Sequence, residues 1–335
     1  MRKYSVIIPV YNRPDEVDEL LASLCEQTFT NFDILVIEDG SSHDCKAEVE
    51  KYADQLDITY YAKENEGQGF TRNFGFERAT GDYLIVFDSD ALVPPHYFEA
   101  VEKHLNEEWL DVYGGPDAAH ESFTPMQKAI SYSMTSPFTT GGIRGGKKQL
   151  GKYEPRSFNM GISREVFERT KGYVITRMGE DVEFSQRIRK EGFTIGLIPE
   201  AYIYHKRRTN LKQFWKQLHF FGRARINLTR WLEGSMKLFH AFPAFFLIGL
   251  LVWPFTYLFS VPLFFVGAVF IAVFSLGNFI DSSIKNKSLY IGALSVVTSF
   301  TQLLAYGAGF LQEGIKRPFE NTEASRIRQR AGEKV

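Results

Sequence analysis

The chain has 335 residues, enough for about two domains of roughly 150 residues each. Hydrophobic residues make up 44% and charged residues 24%, which excludes a disordered chain and a collagen-like or coiled-coil rod. The net charge of -1 gives no electrostatic basis for nucleic acid as a partner.

The first elements read as an alternation. Residues 4–10 form a buried strand whose apolar run is too short for a signal peptide and meets Asn12, Arg13 and Asp15 at once. The soluble part is therefore expected on the cytosolic side. Pro14, suited to a first helical turn, opens a helix to residue 27, with Val17, Leu20, Leu21 and Leu24 at helical spacing. A strand at 32–37 ends in Glu38-Asp39-Gly40-Ser41-Ser42, which is turn chemistry. A polar helix near 43–55, a strand at 58–62, a helix at 69–79, a strand at 83–87 and a helix from Pro94 to 106 follow. This order predicts an α/β fold, a mostly parallel sheet with helices on both faces. Cys25 and Cys45 fall in this part without CxxC spacing, so they read as reduced thiols and not as a disulfide or zinc framework.

Residues 114–155, rich in Gly, Ser, Thr and Pro, read as a long loop, functional or mobile. Helices near 164–170 and 181–190 and strands near 193–198 and 201–205 close the domain. Residues 206–240 carry nine basic residues, among them Lys206, Arg207 and Arg208, against one acid, Glu233. Trp and Phe lie between them at helical spacing, which predicts an amphipathic helix in a membrane interface. The bland alternative is a solvated helix packed on the domain. Residues 241–280 and 288–312 contain no charged side chain. The first run fits two spans broken near Ser260-Val261-Pro262, and residues 289–311 make a weaker third. Three spans would place the basic tail (Lys316, Arg317, Arg326, Arg328, Arg330, Lys334) opposite the basic helix, against the positive-inside rule, so two spans plus a re-entrant segment stay open.

Several acids sit where strands end. Asp88-Ser89-Asp90 follows the strand 83–87, at the edge where open α/β sheets bind ligands, and two carboxylates there suit Mg2+ or Mn2+. If the sheet is parallel, Glu38 and Asp39 share that edge, where an acid can accept hydrogen bonds from a base or ribose. Arg72 opens a helix and could meet a phosphate or base. Glu180-Asp181 starts another helix. It is either dipole compensation or a general base. His205 could add a metal ligand. Gly67 to Arg72 fails as a dinucleotide fingerprint, and Gly141 to Lys148 fails as a P-loop because Lys148 replaces the hydroxyl.

Val6-Ile7-Ile8-Pro9-Val10-Tyr11-Asn12, Glu38-Asp39-Gly40-Ser41-Ser42, Arg72-Asn73, Gly81-Asp82-Tyr83, Asp88-Ser89-Asp90, Asn159-Met160-Gly161, Glu180-Asp181 with Arg187, and His205 follow one another in order. Over residues 4–230 this series resembles the family 2 glycosyltransferases of GT-A fold. With C-terminal membrane helices, the layout is similar to succinoglycan-type exopolysaccharide glycosyltransferases. The resemblance implies that Pro9, Tyr11, Asp39 and Arg72 line a nucleotide pocket, that Asp88, Asp90 and His205 hold Mg2+ or Mn2+, and that Asp88 and Asp90 also face the donor. Asp181 would be the catalytic base, with Glu180, Arg187, Arg207 and Arg208 supporting it or meeting the acceptor. The implied reaction is an inverting, metal-dependent transfer from a nucleotide-diphospho-sugar, with uridine as the base by family habit. The basic helix suits an acceptor that carries phosphate at the membrane surface, such as a polyprenyl-diphosphate-linked saccharide, and the resemblance implies the cytosolic face of a bacterial inner membrane. Processive members carry Gln-x-x-Arg-Trp. Gln213-Phe214-Trp215-Lys216-Gln217 lacks the Arg-Trp, which favours transfer of one sugar. A polyprenyl-phosphate sugar synthase, a non-catalytic nucleotide-sugar-binding module and a nucleotidyltransferase are the competing readings. The expected layout is a catalytic domain at 1–205, a basic helix at 206–240, a membrane region at 241–312 and a basic tail at 313–335.

Overall fold

The computed structural model describes residues 1–140, 153–176, 179–229 and 235–316. The run Gly141–Lys148, Arg230, Trp231, Glu233 and the tail beyond Lys316 lie outside the described residues. The chain divides into two units, one of residues 1–120 and 153–206, the other of residues 121–140 and 207–316 as far as described.

In the first unit β1 (Tyr4–Val10), α1 (Pro14–Cys25), β2 (Phe32–Asp39), α2 (Lys46–Glu50), β3 (Ile58–Lys63), α3 (Gln68–Arg78) and β4 (Tyr83–Phe87) alternate as expected. After them come β5 (Ala91–Leu92), α4 (Tyr97–Glu107), β6 (Val112–Gly114) and β7 (Asp117–Ala118). The chain then passes through α5 (Pro125–Thr135) and α6 (Pro137–Thr140), which belong to the second unit. It returns for β8 (Asn159–Ser163), α7 (Arg164–Thr170), α8 (Glu180–Lys190), β9 (Ile195–Leu197) and β10 (Ile203–His205). The main sheet runs β3-β2-β1-β4-β8-β6-β9, and β5-β10-β7 form a small second sheet. The pairs β3/β2, β2/β1 and β1/β4 are parallel, and β8 is antiparallel to both its neighbours.

Two apolar layers cover the sheet. Val6, Ile8 and Val10 point to the face that packs Val17, Leu20, Leu21 and Leu24 of α1, while Ile7, Leu35 and Ile37 pack with Phe76, Val86, Phe184 and Ile188. Side chains two apart along a strand share a face, so both faces of β1 are buried and its sequence is continuously apolar. Pairing of β1 with β4 stops at Ile7, whereas pairing with β2 continues to Val10. Beyond Ile7 the two strands no longer pair, at the place where the strand order reverses and open sheets hold ligands. Pro9, which has no N–H to donate, lies in that final unpaired stretch of the β4 side.

Three expectations need correction. The polar helix of 43–55 shortens to α2, because residues 51–55 take turns instead. The loop of 114–155 contains β7, α5 and α6. Helix α5 has a full capping box, in which the Thr124 side chain accepts from the Gln127 N–H and the Gln127 side chain accepts from the Thr124 N–H, with Pro125 in its first turn. The single helix across 206–240 is shorter, α9 (Leu211–Thr229), followed by a 3-10 turn at Leu238–Ala241.

In the second unit α10 (Phe242–Thr256), α11 (Val261–Asn286) and α12 (Leu289–Ile315) follow. Among the described residues, three stretches are long and apolar enough to cross a membrane, Leu238–Thr256, Val261–Asn286 and Leu289–Ile315. At about 1.5 Å per residue each comes close to or exceeds the roughly 30 Å of a hydrocarbon core. The break expected near Ser260 is present, with the Ser260 hydroxyl accepting from the Leu263 N–H to start α11. Side chains of α10 and α11 such as Leu251, Phe255, Phe265, Val266 and Val269 are exposed. The weaker hydropathy of α12 has a physical cause: its Ser295, Thr298, Ser299 and Gln302 face inward. Ser299 donates to Asn278 Oδ1 at 2.9 Å, and the Ser282 and Ser295 hydroxyls are 2.6 Å apart. Such polar pairs and small residues join helices where lipid offers no competing hydrogen bonds.

Helix α9 is not a free amphipathic helix. Its Phe214 and Leu218 pack with Ile130 and Met134 of α5 and Ala305 of α12. Its crossing with α12 is so close that a Cβ on Gly222 would lie 2.1 Å from the Tyr306 carbonyl oxygen, and one on Gly309 would lie 2.0 Å from the His219 carbonyl oxygen. Gly222→Leu must force these backbones apart, at a cost of about 1–3 kcal/mol. We expect the variant to melt several degrees below the native chain in detergent. An unchanged melting temperature would show that the crossing is looser than drawn.

Candidate active site

Parallel pairing places the C-terminal ends of β1, β2, β3 and β4 on one edge, so Asp39 and Lys63, which end β2 and β3, and Tyr11 and Asp88, which follow β1 and β4, lie on the same side. Tyr11 is 54% exposed, an aromatic face open to a ligand. Asp39 is buried and fixed: its Oδ1 accepts from the Lys63 ammonium at 3.1 Å and the Glu66 N–H at 2.9 Å, and its Oδ2 from the Gly67 N–H at 2.9 Å. Gly67 can present that N–H because it holds φ +89, a conformation that side chains resist. Burial would raise the Asp39 pKa, but the Glu66 N–H, the Thr71 hydroxyl and Lys63 outweigh it and hold the carboxyl below its usual range. Its neighbour Glu38 turns to structural use, accepting from the Ser41 hydroxyl and from the Cys45 N–H at 2.9 Å.

Asp88 and Asp90 converge, though not as alternate residues of an extended strand. The strand stops at Phe87, and the Ala91 N–H closes a turn onto the Asp88 carbonyl at 3.0 Å. The chain then enters β5, which pairs antiparallel with β10 so that Ala91 faces His205. This pairing delivers a histidine from over a hundred residues away to Asp90, with His205 Nε2 3.0 Å from Asp90 Oδ1. Phe158 stacks on the imidazole at 4.8 Å. One ligand atom each of Asp88, Asp90 and His205 lie within 4.8 Å of one another. Two carboxylates and an imidazole suit a divalent cation that accepts both oxygen and nitrogen ligands, with room left for ligand oxygens.

Arg72 joins this cluster to the acid pair. It is 1% exposed, in α3, and its Nη2 donates to Asp88 Oδ1 at 2.8 Å while Nη1 lies 3.8 Å from Glu180 Oε1. Tyr173 stacks under the guanidinium at 5.5 Å. Burial works against its charge, but Asp88, with Tyr173, Asp181 and Glu180, outweighs that and keeps it ionised. Its Nε and Nη1 have no hydrogen-bond partner, so it retains donors for a further acceptor. Glu180 is buried under the same edge and accepts from Gln68 and from the Gly179 N–H at 3.1 Å. Asp181 is half-buried, and its Oδ1 is enclosed without a partner.

Burial, then the adjacent Asp181, pushes the Glu180 carboxyl up to about 7, against the pull of Arg72. Between about pH 4.5 and 7 the folded chain holds a proton that the unfolded chain releases, so stability falls as pH rises through this window. At 1.36 kcal/mol per pKa unit the effect is on the order of 3 kcal/mol. Melting curves from pH 5 to 8 should show this decline, and Glu180→Gln should flatten it. An equal slope in the variant would remove Glu180 as the cause.

The other expected residues take different places. Arg187 is spent on local structure: it pairs with Glu183 at 2.8 Å and donates to the Thr170 and Gly172 carbonyls at 2.6 Å, fastening α8 to the end of α7. Arg207 and Arg208 belong to the second unit, where Arg207 is buried and its carbonyl accepts from Gln127 at 3.0 Å. Residues not expected from sequence also enter the site. These are Lys63, Gln68, Phe158 and Tyr173, together with Arg13, whose Nη1 donates to Asp90 Oδ2 at 3.0 Å. Only Arg13 had a local signal, a cation directly before a Pro-led helix at a strand end.

Residues 5–171 match the family model described as glycosyl transferase family 2. An uncharacterised glycosyltransferase of Rickettsia felis is 40% identical over 143 residues, 42% of this chain and 23% of that protein. The poly(ribitol-phosphate) beta-N-acetylglucosaminyltransferase TarS of Staphylococcus aureus is 33% identical over 116 residues, 33% of this chain and 20% of that protein. The matches cover less than a quarter of the length of the first of these curated relatives. Among solved structures, a mannosyltransferase of Pyrobaculum calidifontis in complex with GDP-Man and Mn2+ superposes with a TM-score of 0.57 at 16% identity, covering 94% of this chain and 87% of that one. That likeness speaks for the fold. The mixed sheet, its strand-end acids and the matched residues 5–171 together make this chain a member of glycosyltransferase family 2, with the GT-A fold and three long apolar C-terminal helices.

Proposed function

We propose that the first unit transfers a single sugar, with inversion, from a nucleotide-diphospho-sugar to a membrane-associated acceptor. The observation that carries this reading is Arg72, which ties the Asp88 end of a cation-binding cluster to the Glu180-Asp181 pair at one sheet edge. Tyr11 offers its ring to the nucleobase, Pro9 shapes the crevice beside it, and Asp39 accepts from base or ribose. Asp88, Asp90 and His205 hold Mn2+ or Mg2+, and the imidazole favours Mn2+ of the two. When bound, the cation neutralises charge on the departing diphosphate. Asp181 takes the proton of the acceptor hydroxyl as that oxygen bonds to C1. The bond from C1 to the phosphate oxygen breaks, and the nucleoside diphosphate leaves with the electron pair. A relative named as a beta-N-acetylglucosaminyltransferase and a fold neighbour in complex with GDP-Man and Mn2+ support a nucleotide-sugar donor, and a uridine nucleotide is our first choice.

For the acceptor we favour a polyprenyl-diphosphate-linked saccharide, met on the cytosolic face of a bacterial inner membrane. Two features support this: the three apolar helices, and α9, whose exposed Lys212, Trp215, Lys216 and Phe220 combine cations with aromatics as interfacial helices do. The test is a donor screen on detergent-solubilised protein, with UDP-, GDP- and dTDP-sugars, Mn2+ or Mg2+, and polyprenyl-linked acceptors. Release of nucleoside diphosphate from one donor, abolished by chelator, is the expected result. Neither release nor binding of any nucleotide sugar would overturn the reading. A product without a diphosphate link would replace the acceptor by polyprenyl phosphate.

A further inference from the structure

Within the cation cluster, Asp90 has two differently occupied oxygens. Oδ1 faces His205 Nε2 at 3.0 Å, and Oδ2 accepts from Arg13 Nη1 at 3.0 Å. The same Nη1 donates its second hydrogen to Glu16 Oε2 at 2.5 Å. We propose that Arg13 is a positioning residue for the cation site: it fixes the rotation of the Asp90 carboxylate so that one oxygen, Oδ1, is presented with His205 and Asp88. The inference rests on the proposed cation site and goes beyond it in assigning what aims the ligand.

Arg13 is itself held in place. Asn12 adopts φ 54, and its side-chain oxygen accepts from the Ser42 N–H at 2.8 Å and the His43 N–H at 3.0 Å, while its own N–H donates to the Ser41 hydroxyl at 2.7 Å. The loop after β1 is thereby fastened to the loop after β2, and Pro14 starts α1 directly behind Arg13. A carboxylate oriented by a preset guanidinium does not have to be ordered when the cation arrives.

An unpaired guanidinium so near would repel a cation, and its removal would then strengthen binding. Glu16 decides the sign. It neutralises Arg13 from the first turn of α1, so the pair contributes orientation with little net charge. Removing an outer partner of a metal ligand weakens metal binding by about 10–100-fold.

The test is Mn2+ titration of the full chain in detergent, read by the loss of the free-ion electron paramagnetic resonance signal. Arg13→Met should weaken Mn2+ binding at least tenfold, and Arg13→Lys, which keeps a charged donor, should recover most of it. Glu16→Gln leaves the donor but exposes its charge and should weaken binding several-fold. If Arg13→Met binds Mn2+ as tightly as the native chain or more so, Arg13 only fills the space of the cation and the proposal falls, with the cation site intact. If the native chain itself binds no Mn2+, the cation site and the role of Arg13 fall together.

Discussion

Asp181→Asn should lower the turnover of sugar transfer by about 10²–10⁴, the usual worth of a positioned base, and leave nucleotide affinity within a few-fold. The substitution keeps the shape and removes the one property the mechanism needs. In the native chain Asp181 is half-buried and its Oδ1 has no hydrogen-bond partner, so the carboxylate is not committed to a structural donor. Glu180 beside it is fully engaged with Gln68 and the Gly179 N–H and cannot substitute. The decisive comparison is between turnover and Michaelis constant. A loss confined to turnover fits a group that acts as the acceptor hydroxyl attacks. A variant retaining a tenth or more of native turnover would remove Asp181 from the role of base.

The second large effect concerns Asp90. Asp90→Asn should abolish measurable Mn2+ binding and, with it, reduce transfer by at least about 10²–10³, since a bound cation supplies several kcal/mol of charge stabilisation at the leaving group. Asp90 faces both His205 and Arg13, and an amide in its place offers one weaker acceptor and a donor that repels Arg13. Chelator should reproduce the loss in the native chain and add nothing in the variant. Asp88→Asn should lose thermal stability as well as activity, because Asp88 balances the buried charge of Arg72. Full activity of either variant in the presence of chelator would exclude metal-assisted departure.

The parallel half of the sheet was legible because each strand is a short apolar run closed by turn residues, and the turn residues themselves are the site. Tyr4–Val10 and Tyr83–Phe87 emerge with their expected bounds. Helix α5 was hidden by its composition. Ser131 and Ser133 are buried beside Ile130 and Met134, so no polar face contrasts with an apolar one, and only Thr124-Pro125-Met126-Gln127 marks its start. At the site, sequence identifies the groups that end strands but not what they touch. Arg72 opens a helix and reads as a group available to ligand. Its burial comes from Tyr173 and Glu180, about a hundred residues further on. Arg13 meets Asp90 across 77 residues, a distance no local pattern spans.

Helix α12 packs against α5, α9, α10 and α11, and each of these precedes it in the chain. The ribosome therefore makes the central member of the second unit after every helix it holds. The first unit, by contrast, is complete once His205 has paired with Ala91. Helix α5 lies in sequence inside the catalytic residues; its Ile130 and Met134 are met first by Phe214 and Leu218 of α9 and only later by Ala305 of α12, 170 residues beyond the Thr135 end of α5. Premature termination or slow insertion before Leu289 would leave the α12-facing sides of α5 and α9 uncovered. Completion of the second unit, as far as described, waits on the arrival of α12.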